Sequence, residues 1–159
     1  MSHIVESRST ITCPNLPEFL ALSRQGGAAS VSHLPFLALL REAVKLVATT
    51  YGGTIETFYY DYSRRKHHVN TGLALHIPQQ PGTPAAQALT RGIGLAIDEQ
   101  TGVLKCIGDP YGVEDFYRQI QQQIIQKYIG LAWMAVMRQF QYQTSSQVVE
   151  NRLVIAGVC

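Results

Sequence analysis

The chain has 159 residues, the size of one ordinary domain, and at that length folding buries roughly two-thirds of the unfolded surface. Its formal net charge of +2 marks neither a dedicated nucleic-acid binder nor an acidic tail protein. Three cysteines, Cys13, Cys106 and Cys159, are odd in number and widely spaced, which excludes a disulfide framework and a zinc site of paired Cys-x-x-Cys type.

Only 15% of the residues are charged, against about 25% in typical domains. Gln, Ser, Thr and Tyr supply much of the remaining polarity. Desolvating an amide costs less than desolvating an ion, so such an exterior tolerates burial against another protein. The amino terminus shows no basic region followed by an apolar stretch. The longest apolar run, Ile129 to Met137, falls well short of the roughly 20 residues that span a bilayer. These features predict a reduced, aqueous setting, a cytoplasm or an equivalent compartment.

Residues 3–12 place Ile and Val between polar positions and predict a strand. Asn15 is an N-cap for a short helix over Leu16–Arg24, stopped by Gly26 and Gly27. Ser32 caps a second helix over 34–49, in which Phe36, Leu39, Leu40, Ala43, Leu46 and Val47 recur at helical spacing. Tyr51-Gly52-Gly53 ends it. Thr54–Tyr62 and Val69–Ile77 read as strands, and Ala85–Leu89 as a single helical turn after a Pro/Gln/Gly loop. Ile93–Ile97 and Val103–Ile107 flank a turn containing Gly102 and predict a β-hairpin.

Asp109-Pro110-Tyr111-Gly112 is turn chemistry that launches the longest element, a helix over 113–141 with Glu114 and Asp115 in its first turn. Phe116, Ile120, Ile124, Tyr128 and Leu131 form one apolar stripe. Beyond Ile124 the apolar residues spread around most of the circumference, and a helix apolar all round must be covered on more than one side. Gly130 implies close backbone approach or a break there. Arg152–Val158 predicts a final strand. The order suits an α+β fold in one domain over 1–159. It would be an antiparallel sheet of about five strands with two or three helices packed on one face, in a ferredoxin-like arrangement.

One segment is dense in functional residue types. Phe58, Tyr59, Tyr60 and Tyr62 stand beside Arg64, Arg65, Lys66, His67 and His68. Aromatics for base stacking next to cations for phosphate are the physical recipe for single-stranded nucleic acid. No ribonucleoprotein motif accompanies them, and the overall charge argues against nucleic acid as the partner. A hairpin tip with solvated basic residues accounts for the same pattern. The histidines suggest no metal: His67 and His68, adjacent on a strand, point to opposite faces, and no spacing matches a helix-borne site. Cys13 precedes a predicted helix start, where the dipole favours a thiolate, but no resolving cysteine is apparent in the sequence. Gly92-Ile-Gly94 sits within a strand and does not lead into a helix, so it is no dinucleotide fingerprint.

Five landmarks carry a family resemblance: Met1-Ser2-His3-Ile4 through Thr12 and Leu16; Tyr51-Gly52-Gly53; Ile93-Gly94-Leu95 leading into a hairpin; Tyr111-Gly112-Val113-Glu114 to Gln126-Lys127-Tyr128; and Arg152-Leu-Val-Ile. Together the chain resembles the cyanobacterial and plastid family called hypothetical chloroplast reading frame 35, or domain of unknown function 1257. It departs from that pattern around Gly26 to Leu34, in the Pro-rich 78–84 loop, and in a less basic ending. The resemblance brings no established activity and no catalytic residues. What it implies is a protein of photosynthetic or plastid housekeeping, although relatives also occur outside phototrophs.

The expected function is therefore a non-enzymatic binding or assembly protein that needs no cofactor. It would use Ile125, Ile129, Trp133 and Met137 of the long helix, or the sheet face, against itself or a protein partner. The alternatives are a small-molecule-binding protein or minor enzyme with a pocket lined by Tyr51, Tyr59, Tyr111 and Tyr128, and a weak single-stranded nucleic-acid binder.

Overall fold

A computed structural model describes residues 4–12, 35–98, 103–139, 143–149 and 152–158. The predicted first helix, its Gly stop and Cys13 lie outside the described residues.

Helix α1 (Pro35–Tyr51) buries Leu37, Leu40, Val44 and Val47, the three-and-four spacing of one helical face. It ends where the sequence predicts. Gly52 takes a left-handed φ of 66°, and the Gly53 N–H donates to the Ala48 carbonyl at 2.8 Å, the bonding pattern of a Schellman C-cap. Helix α2 (Glu114–Gln139) runs without a break, with Gly130 buried inside it. Its start is fixed by the Gly112 N–H, which donates to the Glu114 carboxylate at 3.1 Å. The backbone N–H of Glu114 itself, and then that bond, hold the Glu114 carboxyl below its usual range.

The main sheet has five strands: β1 (Val5–Thr12), β2 (Thr54–Glu56), β5 (Leu73–Ile77), β6 (Leu89–Ile97) and β7 (Val103–Gly108), in the order β1-β7-β6-β5-β2. Every neighbouring pair is antiparallel. The fold is thus α+β, as the element order implied. β6 and β7 form the hairpin predicted from the sequence, and Ala85–Gln87 is a single 3-10 turn.

The strand order departs from a ferredoxin-like one. There, one strand separates the two that flank the first helix; here β7, β6 and β5 all lie between β1 and β2. The C-terminal strand also stands outside this sheet. β9 (Arg152–Val158) pairs with β8 (Gln143–Val149) in a hairpin of its own, which packs against α2.

The sheet has two different faces. Leu73, Leu75 and Ile77 of β5, Ile93 and Leu95 of β6, and Leu104 of β7 are buried in one cluster with both helices. The opposite face carries Ala74, His76, Gly92, Gly94 and Ala96, mostly small residues. On it lies a second small sheet, β3 (Phe58–Tyr60) paired with β4 (Lys66–His68). The span Thr54–Tyr62, read as one strand, is therefore two strands in two sheets. Likewise Val69–Ile77 begins as a turn. There the Asn70 side chain accepts from the Ile97 N–H at 3.0 Å and donates to the Ile97 carbonyl at 2.6 Å. Strand β5 starts only at Leu73.

Candidate functional site

Strand alternation sorts the residues of the β3–β4 hairpin. The register pairs Phe58 with His68, Tyr59 with His67 and Tyr60 with Lys66, so Phe58, Tyr60, Lys66 and His68 share one face while Tyr59 and His67 share the other. Tyr59 is buried, with its ring stacked on His67 at 5.2 Å and 17°. Burial, and then the charge of Asp61, raises its phenol pKa. His67 Nε2 donates to Asp61 Oδ2 at 3.0 Å, and the Arg65 N–H donates to Oδ1 of the same carboxylate at 3.0 Å. These bonds, His67 first, hold Asp61 below the usual carboxylate range. They also shape the 61–65 turn, where Arg64 takes a φ of 64°.

The outward face is an aromatic cluster under a cation. Phe58 meets Tyr60 edge-on at 5.2 Å, and His68 edge-on at 6.0 Å. Lys66 Nζ stands 4.4 Å from the centroid of the Phe58 ring. His76, rising from β5, joins the group at 5.7 Å from Phe58 and 6.0 Å from Tyr60. Its Nε2 lies 2.7 Å from the Phe58 carbonyl oxygen and its Nδ1 3.2 Å from that of Thr90. The shorter contact marks Nε2–H as the donor to β3. Through that bond His76 is a structural stitch between the sheets.

Within the turn, Tyr62 leaves this face and meets Tyr111 edge-on at 5.5 Å, with the Arg91 guanidinium 5.7 Å from its ring. Asp109 explains the placement. Its buried carboxylate accepts from the Tyr62 N–H at 3.0 Å and from the Tyr111 N–H at 3.2 Å, while Arg91 donates to the Tyr111 carbonyl. Asp109 therefore ties the hairpin to the start of α2 in addition to forming a turn.

The second candidate lies on the outer side of α2. Asp115, Arg118, Gln122 and Gln126 form a polar exposed stripe that ends in Ile129 and Trp133. Ile129 is 41% exposed and Trp133 60%. Together with Tyr128 and Ala132 they line an almost wholly apolar hollow of about 270 Å³. Ile125 lies half-buried against the core, and the Met137 side chain is outside the described residues. Among the described residues the covered side of α2 is apolar apart from the buried Lys127, and Ile129 and Trp133 are left outside.

The tyrosines expected to line one pocket do not converge. Tyr51 borders a hollow of about 330 Å³ with Gln80 and Phe116, its hydroxyl accepting from Gln123 Nε2 at 2.7 Å. Tyr128 borders the α2 hollow, Tyr59 is buried under the hairpin and Tyr111 pairs with Tyr62. A third hollow, of about 140 Å³, lies between Leu89, Arg91, Asp109 and Val113.

Among the described residues no group of three metal-ligating side chains gathers, and no helix is long and apolar enough to cross a membrane. The reading of the sequence gave no site role to His76 or Arg91 and took Asp109 for turn chemistry alone. The period-two spacing of Phe58 with Tyr60 and of Lys66 with His68 was the available signal of their shared face. Comparison with protein-family models, with curated proteins and with solved structures gives no match.

Proposed function

We propose that the chain is a non-enzymatic assembly module whose docking face is the outer side of the C-terminal half of α2, and that its partner is a second copy of itself. The carrying observation is Trp133, a large aromatic 60% exposed beside Ile129 in an apolar hollow on α2. Exposed tryptophan over a pocket is the usual anchor of a protein interface. A helix face that presents both anchor and hollow can serve as both halves of a two-fold interface. The surrounding stripe favours the same reading, because Gln122 and Gln126 are amides that desolvate at less cost than ions. By its resemblance to the chloroplast reading frame 35 family, the assembly would serve photosynthetic or plastid housekeeping. The test is the mass of the chain in solution, with and without Trp133.

A further inference from the structure

We propose that the outward face of the β3–β4 hairpin is a binding surface for single-stranded nucleic acid, a site separate from the α2 patch. Three observations carry it. The register sets Phe58 and Tyr60 on the same face as Lys66 and His68, so half-exposed rings lie opposite an exposed ammonium and an exposed imidazole on a platform that strands of three residues make small. Next, the turn at its end adds the exposed side chains of Arg64 and Arg65 and that of Tyr62, 60% exposed, which meets Tyr111, 47% exposed, with Arg91 over the Tyr62 ring.

The third observation is electrostatic. Two acids of this region are held away from the platform: Asp61 by His67 and the Arg65 N–H, and Asp109, buried, by the backbone N–H groups it accepts; the exposed Glu114 interacts with Arg91 at the start of α2. Arg64, Arg65 and Lys66 form no salt bridge among the described residues. The local surface is therefore more cationic than the net charge of +2 conveys. Phosphates would meet the cations while unpaired bases stack on the rings, sequence-tolerantly because every base has a π-face. A duplex hides those faces in its own stack, so the rings favour single strands.

Fluorescence anisotropy with labelled oligo-dT and oligo-U of about 10 nucleotides, within the usual footprint of small single-strand binders, tests this. The expected result is binding at about 50 mM salt that weakens steeply by about 200 mM, with an unlabelled duplex competing poorly. Tyr60→Ala lowers the affinity about 5- to 150-fold, the worth of one stacked base, and Lys66→Ala reduces the salt slope by about one. The Tyr60 ring also packs on Phe58 and His76. His68→Ala, whose side chain is exposed, is therefore the second variant, with circular dichroism confirming the fold of each; it too weakens binding. Lys45→Ala, which removes an exposed cation of α1 on the other side of the sheet, leaves the affinity unchanged. Absence of binding at low salt, equal competition by duplex, wild-type affinity in all the hairpin variants, or loss of affinity in Lys45→Ala would each overturn the proposal.

Discussion

Gly94 is the floor on which Tyr59 rests: a Cβ on the glycine would lie 2.8 Å from Cδ1 of the tyrosine ring and 2.7 Å from Cγ1 of Val69. The bare backbone of β6 lets the hairpin lie flat on the sheet. Gly94→Ala therefore forces Tyr59 and Val69 upward, and we expect it to cost about 1–3 kcal/mol, the usual penalty of overpacking. Urea unfolding measures this. A midpoint equal to that of the wild type would show that the hairpin is not seated on Gly94.

Cys106 gives a pH dependence with a defined sign. Burial pushes its thiol up from 9.0 to about 12. The unfolded chain therefore loses this proton at a lower pH than the folded chain does. The contribution to stability is intact below pH 9 and is lost as pH rises toward 12. Cys106→Ala flattens that part of the stability–pH curve. In the native protein the thiol resists alkylation, since the reactive species is the thiolate. Rapid labelling of folded protein at neutral pH would contradict this.

Lys127 has the opposite sign. Its side chain is fully buried, and desolvation lowers its pKa from 10.5. Below that value the unfolded chain holds a proton that the folded chain gives up more readily. Stability therefore rises with pH as the solution approaches 10.5 from below. Lys127→Met removes this rise. A variant whose stability–pH curve runs parallel to that of the wild type would place the amine in solvent.

Periodicity made the helices and the β6–β7 hairpin legible. Leu37, Leu40, Val44 and Val47 mark one face of α1, and Gly52-Gly53 its end, because these signals are local. The break at Thr57 was not legible. Thr54–Tyr62 reads as one aromatic strand, and only the small residues of β6, distant in sequence, make room for its second half on another layer. β8 (Gln143–Val149) was missed because a Gln/Ser/Thr run lacks the apolar alternation that marks a strand. For Trp133 the sequence showed a helix apolar around its girth. Which side stays uncovered depends on where α1, the sheet and the β8–β9 hairpin pack, and that is a tertiary fact.

The most direct measurement is multi-angle light scattering on the purified chain and on Trp133→Ala. The account predicts twice the 17.6 kDa chain mass for the wild type and the single-chain mass for the variant. Because Trp133 is exposed, the urea-unfolding stability of the separated variant chain should stay within about 0.5 kcal/mol of that of the wild-type chain diluted to a monomer. A wild-type chain that stays monomeric at every concentration, or a Trp133→Ala variant that keeps the doubled mass, would contradict docking through the outer face of α2.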